Sequence, residues 1–472
     1  MTRFAPSILA ISALFLPLTA CTDGSQRPVA AVSTVTPDTP AKAKNIILFI
    51  GDGMGISTVT AARIYEGQQR GETGEENYLS FERFPNVALV KTYNTNQQVP
   101  DSAGTATAIN TGVKTRAGVI GTGPVSRRGD CAASQNEKLP SLAGQAKARG
   151  LAVGIVSTAR LTHATPAAVY AHSPEREWEA DSNLPEAAVT QGCRDIAAQL
   201  MEFPFDVALG GGRRNFLGQA EGGRRNAASA NLGQQWAART GGSYVEDMTA
   251  MNAAAQDKPV LGLFSSSHMT YMLDRGRDSG EPTLTDMTGA ALQRVSRDDD
   301  GYFLMVEGGR IDHGHHDGKA GYALEEAREF ARAVAYAAAN TDPEETLILV
   351  TADHSHVFTI AGYPTRGNPI LGLAMGNDDS GEPTGKPVLA ADNLPYTTLG
   401  YANGPGAING KRTMPETGPK AKQQAAIPGP YETHGGEDVA LYVKGPGAAK
   451  ARGVIEQNYI YNIMRTALGW PD

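Results

Sequence analysis

Carboxylates and imidazoles follow several apolar runs of this sequence, at the points where predicted strands end. They are Asp52 after Asn45–Ile50, His163 and Thr165 after Ala152–Ser157, Glu307, Asp312 and His316 after Tyr302–Val306, Asp353 and His354 after Leu347–Thr351, and His434 just before Val439–Val443. Mixed carboxylate and imidazole sets suit zinc, whereas sets of oxygen ligands suit magnesium. A strand-end Asp often caps a helix, and a single His is usually a core residue. Several such groups in one chain are harder to explain in that way, and they predict a multi-metal site.

A metal site of this kind needs a nucleophile, and Asp101-Ser102-Ala103 lies at the predicted start of a helix. An Asp there has a structural explanation, because it caps helix N-termini. A helix N-terminus also favours an alkoxide or a phosphate group, which would make Ser102 a reacting group. The segment alone favours the cap and leaves both interpretations open.

The strands that must position these side chains are apolar throughout, which is typical of a parallel sheet buried on both faces. Helical stretches alternate with them, at Leu139–Arg149, Leu184–Met201 and Ala320–Ala339. The alternation predicts an α/β fold, a doubly wound and mostly parallel sheet flanked by helices, over one catalytic domain of residues 45–472. In such sheets, ligands bind beyond the carboxyl ends of the strands. Residues 362–433 are rich in Gly, Pro and Asn, and we interpret them as a surface insertion, either a lid or a subunit contact.

The N-terminal residues have the pattern of a targeting segment. Residues 1–20 begin with a basic start and continue with an apolar stretch too short to span a bilayer, which predicts a signal peptide. Leu18-Thr19-Ala20-Cys21 resembles a bacterial lipobox, so residues 21–44 are interpreted as a tether lipidated at Cys21. The alternative is an ordinary signal peptide with a chance cysteine. We expect export to the periplasm or the cell surface, with the membrane reached only through the lipid.

Charge and cysteine content narrow the function further. The formal net charge of −8 gives no reason to expect a nucleic-acid partner, and an anionic substrate would need local cations. Export makes a disulfide permissible. Cys131 and Cys193 are then either bonded to each other or two buried thiols.

Five segments taken together resemble the alkaline phosphatase family. They are Asp52, Asp101-Ser102-Ala103, Val306 to His316, Thr351 to His354, and Thr433 to Glu437. The resemblance runs from about residue 44 to the C-terminus. It implies hydrolysis of phosphate monoesters to alcohol and phosphate through a phosphoserine at Ser102. It also implies two zinc ions and one magnesium ion per subunit, and a homodimer.

The resemblance implies a role for each matching residue. The first zinc would be held by Asp312, His316 and His434. The second would be held by Asp52, Asp353 and His354. Magnesium would be held by Asp52, Thr165 and Glu307, so that Asp52 bridges two ions. Arg176 matches the arginine that grips the phosphate, and Cys131 and Cys193 match a disulfide of the animal branch.

Two histidines follow the animal branch, where many bacterial relatives carry Asp and Lys. The resemblance implies that His163 lies near magnesium without binding it, and that His313 lies near the phosphate. The animal branch also has a calcium site with an acidic residue after a Leu-Phe pair. Here Leu263-Phe264 is followed by Ser265, so that site is not expected.

Rival functions on the same scaffold fit less well. A sulfatase would carry Pro and Arg after its modified residue, and Ser102 is followed by neither. Phosphodiesterases usually lack the third-metal ligands that Thr165 and Glu307 supply. A non-catalytic binding protein would be expected to have lost a ligand or the nucleophile. The sequence therefore predicts a phosphomonoesterase.

Overall fold

The five apolar runs of the sequence analysis form strands of one central sheet. The computed structural model describes residues 42–276 and 278–471, so the predicted signal peptide, Cys21 and most of the predicted tether lie outside the described residues. The described strands are, in chain order, β1 (Asn45–Gly51), β2 (Asn86–Lys91), β3 (Ala152–Arg160), β4 (Val207–Gly211), β5 (Ser243–Val245), β6 (Val260–Leu263), β7 (Tyr302–Glu307), β8 (Thr346–Ala352), β9 (Ser355–His356), β10 (Phe358–Ile360), β11 (Met375–Asn377), β12 (Pro383–Pro387), β13 (Leu399–Gly404), β14 (Ala425–Pro428), β15 (His434–Gly435), β16 (Val439–Lys444) and β17 (Gly453–Glu456).

Ten of these strands form the sheet, in the order β17-β2-β16-β8-β1-β7-β3-β4-β6-β5. Strand β16 is antiparallel to both of its neighbours, and the other pairings are parallel. The register aligns Ile46 of β1 with Phe303 of β7 and with Leu347 of β8. All three side chains are fully buried, because helices cover both faces of a parallel sheet. The prediction of a mostly parallel central sheet flanked by helices is confirmed.

The helices differ from their predicted extents where local breakers intervene. They are α1 (Ile56–Gln69), α2 (Ser102–Thr111), α3 (Cys131–Ser134), α4 (Leu142–Ala148), α5 (Ala164–Ala167), α6 (Glu186–Thr190), α7 (Ile196–Glu202), α8 (Leu232–Thr240), α9 (Met248–Ala253), α10 (Leu284–Val295), α11 (Arg310–His316), α12 (Ala320–Ala339) and α13 (Tyr459–Ala467), with 3-10 turns at Ser80–Arg83, Asp181–Asn183, Arg213–Asn215, Gln219–Glu221 and Ala448–Lys450. Helix α12 has its predicted bounds. The predicted helix Leu184–Met201 is instead α6 and α7, because the chain turns at Gly192 with φ 88°. No helix among the described residues is both long and apolar enough to cross a membrane.

Cys131 and Cys193 form a disulfide, as the resemblance implied. It lies in a small apolar cluster with Trp178 and Ala188, apart from the main core. The bond ties α3 to the turn between α6 and α7. Shortly after that turn, the Ile196 N–H donates to the carbonyl of Trp178, two residues after Arg176.

The Gly- and Pro-rich segment 362–433 contains strands. Strand β13 pairs with β10 and β14, and β11 pairs with β12. Tyr401 of β13 reaches helix α11, where its hydroxyl lies 2.8 Å from Nδ1 of His315. The segment is therefore attached to helix α11.

Candidate metal centre and phosphate site

Four adjacent strands bring most of the predicted ligands to one edge of the sheet. The four strands are neighbours in the order β8-β1-β7-β3. Asp353 and His354 directly follow β8, Asp52 follows β1, Glu307 ends β7, and Thr165 lies in α5 shortly after β3. Helix α11 follows β7 and adds Asp312 and His316. The short pair β9 and β15 adds His434. The parallel register explains why residues about 300 positions apart in the sequence meet here.

Asp312, His316 and His434 surround a common point. The Nε2 atoms of His316 and His434 lie 3.3 and 3.4 Å from Oδ1 of Asp312, and 3.1 Å from each other. The Nδ1 atoms face the backbone carbonyls of Glu432 and Pro100, at 2.6 and 2.8 Å. A carbonyl can only accept a hydrogen bond, so each ring carries its proton on Nδ1. The Nε2 lone pairs are then free to bind a cation.

Asp52, Asp353 and His354 form a second, fully buried group beside Ser102. The Nε2 atom of His354 lies 3.4 Å from Oδ1 of Asp52 and 3.3 Å from Oδ2 of Asp353. The Ser102 hydroxyl lies 3.2 Å from His354 Nε2 and 3.4 Å from Asp52 Oδ1. Gly53, with φ 68°, turns the chain directly after Asp52, and its N–H donates to Asp353 at 3.0 Å. A side chain at Gly53 would collide with His356.

Asp52 also faces a third group with Glu307 and Thr165. Asp52 Oδ2, Glu307 Oε1 and Thr165 Oγ1 are buried without a hydrogen-bond partner, although protein interiors rarely leave such oxygens unsatisfied. The other Glu307 oxygen accepts from the Ser157 hydroxyl. Three unpaired oxygens are the ligand type that magnesium binds.

The pKa shifts of these carboxylates also indicate a metal site. Burial, with a further contribution from Asp353, raises the pKa of Asp52 well above its usual range. Burial raises the pKa of Glu307 to about 8, and it also raises the pKa of Asp353. Against burial, His316 holds the pKa of Asp312 well below its usual range. Ionised carboxylates this close together are stable only beside cations, so the residues present fit metal ions.

Arg176 is held by Asp101, the residue directly before Ser102. Its Nη1 donates to Asp101 Oδ2 at 3.0 Å. Asp101 also accepts from the N–H groups of Gly104 and Gly118, at 3.1 and 2.8 Å. Asp101 is thus both the helix cap that its position predicts and the residue that orients Arg176.

His163 and His313 lie together beside Arg176. His163 Nε2 is 3.1 Å from Arg176 Nη2, and its ring centroid is 5.5 Å from that of His313. One nitrogen of His163 also lies within 4.8 Å of carboxylate oxygens of Asp52 and Glu307. His163 Nε2 faces a guanidinium, and Nδ1 is buried without a hydrogen-bond partner. Burial holds the pKa of both imidazoles well below its usual value, so both rings are neutral.

Two further residues at the site were missed by the sequence analysis. His356 Nδ1 lies 2.6 Å from Glu432 Oε2, and His356 Nε2 lies 3.0 Å from Asp312 Oδ1. Glu432 therefore orients Asp312 through His356, and His316 through its own carbonyl. The clustering of five of the nine histidines between residues 313 and 356 was a signal for His356. Nothing in the sequence pattern singles out Glu432.

Comparisons with known proteins give a consistent result. The family model described as Alkaline phosphatase matches residues 43–470. The tissue-nonspecific alkaline phosphatase of Gallus gallus is 46% identical over 450 residues, covering 90% of this chain and 84% of the relative. The alkaline phosphatase of Gadus morhua is 44% identical, covering 90% and 92%.

Solved structures show the same fold at lower sequence identity. The alkaline phosphatase of the Antarctic bacterium TAB5 aligns with a TM-score of 0.62 at 23% identity, over 92% of this chain and 100% of its own. That of Thermus thermophilus aligns with a TM-score of 0.65 at 22% identity, over 95% and 96%. The match spans nearly every described element.

Proposed function

Because this chain belongs to the alkaline phosphatase family, which hydrolyses phosphate monoesters, we propose that it does so through a phosphoserine at Ser102, with two zinc ions and one magnesium ion. The observation that carries the proposal is the position of the Ser102 hydroxyl between His354, Asp52 and the N-terminus of α2. We assign the first zinc to Asp312, His316 and His434, and the second to Asp52, Asp353 and His354. Magnesium is assigned to Asp52, Thr165 and Glu307.

The chain's own residues account for binding and for the order of bond changes. Arg176 receives two phosphoryl oxygens bidentately, held in orientation by Asp101. Ser102 Oγ then forms a bond to phosphorus as the ester P–O bond breaks, and the alcohol departs on the side of Asp312, His316 and His434. Water attacks the phosphoserine, which releases phosphate and restores the hydroxyl. The metal ions, when bound, supply Lewis-acid activation and offset the charge of the entering and leaving oxygens.

The experiment that tests this function compares a phosphate monoester with its diester and measures bound metal in the same preparation. We expect much faster turnover of the monoester, with zinc and magnesium bound in a ratio of two to one. Faster turnover of the diester would favour a phosphodiesterase. Full metal content without turnover of either ester would favour a binding protein.

A separate prediction concerns the anchor, which we propose together with export and a homodimer. Mass spectrometry of protein from a bacterial host should show a mature chain that begins at a lipid-modified Cys21. A Cys21→Ser variant should be released from the membrane and keep its activity, because Cys21 lies outside residues 43–470, which match the family model. An unmodified chain that begins at another residue would rule out the anchor.

A further prediction concerns His163 and His313. A neutral imidazole at residue 163 brings no negative charge to magnesium, and a neutral His313 attracts phosphate less than a lysine would. The double variant His163→Asp with His313→Lys should bind magnesium and inhibitory phosphate roughly tenfold more tightly. Turnover should become slower if phosphate release limits it.

The matched control for this variant is His172→Gln. Its ring bonds to the Leu139 carbonyl at 2.9 Å, away from the site. Magnesium activation and phosphate inhibition should stay unchanged in the control. If the double variant also leaves both unchanged, the two histidines lie outside the functional site.

A further inference from the structure

We propose that Arg214, Arg310 and His268 form a binding surface for a second anionic group of the substrate. The group is a carboxylate or a second phosphate, carried on the same ester as the phosphoryl group that reacts. The inference rests on the proposed function, because it concerns the substrates of that same site. None of the three residues was identified in the sequence analysis.

One loop connects the three residues of this surface. Residues 265–271 follow β6, and the N–H of Arg214 donates to the carbonyl of Ser266 at 3.2 Å. At the other end of the loop, the Arg310 guanidinium lies 3.5 Å from the ring centroid of Tyr271. His268 lies between them in the sequence of the loop. The three proposed binding residues are all half-buried, so solutes can reach them.

The surface is continuous with the phosphate site. The ring centroid of His268 is 4.0 Å from that of His313 and 5.4 Å from that of His163. His163 in turn contacts the Arg176 guanidinium at 3.1 Å. A substrate held by Arg176 therefore has a row of imidazoles beside it that leads to two more arginines.

The guanidinium groups of Arg214 and Arg310 have no ion-pair partner in the part of the chain that the structure describes. Arg160 contacts His268, but its charge is matched by Glu179, whose carboxylate it reaches at 2.7 and 2.6 Å. Among the described residues, Arg214 and Arg310 form no ion pair within 4.0 Å. The Nε atoms of both are buried without a hydrogen-bond partner.

Nearby carboxylates do not remove this excess of positive charge. Glu326 lies near enough to Arg310 to feel its charge, but among the described residues the two form no ion pair within 4.0 Å, and the Glu326 carboxylate accepts from the Met272 N–H at 2.7 Å. Burial, together with Arg160, Arg310 and Arg214, holds the pKa of His268 far below its usual value. In a chain of net charge −8, this local excess marks a place for an anion. Guanidinium groups bind carboxylate and phosphate through paired hydrogen bonds.

Three esters on one carbon skeleton test the proposal with the metal-loaded enzyme. Glycerol 3-phosphate has no second anion, 3-phosphoglycerate adds a carboxylate, and glycerol 1,3-bisphosphate adds a phosphate. In Arg214→Gln and in Arg310→Gln, kcat/KM for 3-phosphoglycerate and for glycerol 1,3-bisphosphate should fall about tenfold relative to kcat/KM for glycerol 3-phosphate. If kcat/KM falls for only one of these two esters, the surface binds the second anion of that ester. If it falls for both, the surface binds a carboxylate and a phosphate alike. High salt should reduce the preference in the parent enzyme.

The matched control is Arg213→Gln, because Arg213 neighbours Arg214 but pairs with Glu246 at 2.5 Å. It should keep the parent's ratios. Unchanged ratios in both test variants would overturn the inference while leaving the proposed function intact, since glycerol 3-phosphate would still turn over. If the parent enzyme hydrolyses none of the three esters, the result counts against the proposed function. Arg214 lies outside the ligand-bearing helix α11, so its variant remains informative if Arg310→Gln loses metal.

Discussion

Replacing Ser102 with alanine should lower kcat for phosphate monoesters by about 10³-fold or more, with zinc still bound. The substitution removes only the hydroxyl, which lies 3.2 Å from His354 Nε2. Among the described residues, no other hydroxyl contacts that nitrogen. The proposed ligands Asp52, Asp353 and His354 directly follow β1 and β8, so their backbone positions do not depend on Ser102. Steady-state kinetics and metal analysis of the same sample check both halves of the prediction.

Ser141→Ala serves as the control for that substitution. Ser141 caps α4 by accepting from the Gly144 N–H at 3.0 Å, remote from the metal centre. Its loss should cost roughly 1 kcal/mol of folding stability and leave kcat unchanged. Turnover of Ser102→Ala close to that of the control would show that another group is the nucleophile.

Removing the metal ions should abolish activity and leave a protein whose stability falls with alkaline pH. Burial raises the pKa of Glu307 to about 8 and that of Asp52 well above its usual range. A carboxyl group with a raised pKa in the folded state stabilises the fold below its ordinary pKa, and that contribution is lost as pH rises through the folded value. The metal-free protein should therefore lose stability between about pH 4.5 and about pH 8 through Glu307.

Titrating histidines limit the pH range in which the effect of the carboxylates on stability can be measured. Buried neutral histidines, such as His163 and His354, make stability rise with pH, but only up to about pH 6.5, the ordinary imidazole pKa. Melting temperatures at pH 7 and pH 9 therefore avoid these neutral rings. Over that range His356 acts in the same direction as the carboxylates, because against burial Glu432 and Asp312 raise its pKa to about 10. We expect chelated protein to melt lower at pH 9 than at pH 7, and zinc- and magnesium-loaded protein to show a much smaller difference. Chelated protein that melts equally at both values would contradict the assignment of these carboxylates.

The central sheet and the residues at its edge could be predicted because both depend on local patterns. An unbroken apolar run such as Ile46 to Ile50 is typical of a parallel sheet buried on both faces, and parallel neighbours end at the same edge. The side chains directly after them then meet wherever the strands are neighbours. The structure shows this for β8, β1, β7 and β3, and it accounts for the position of Asp52, Glu307 and Asp353.

Other features depend on contacts that no local pattern carries. Strands β2 and β17 lie towards one end of the sheet, where apolar side chains such as Leu89 and Val454 are exposed, so their places depend on pairing with β16 and with each other and not on a buried apolar run. Glu432 acquires its role from a contact with His356, 76 positions away. His268 is an isolated histidine in the sequence, and only the fold places it against His313.

The most direct test of the account is to trap the covalent intermediate. Enzyme that is turning over a monoester is quenched in acid, digested and analysed by mass spectrometry, with Ser102→Ala treated in parallel. The account predicts one phosphate per chain at most, located on Ser102, and none in the variant. Phosphate on a different residue, or steady turnover with no trapped phosphate on Ser102 at any stage, would contradict it.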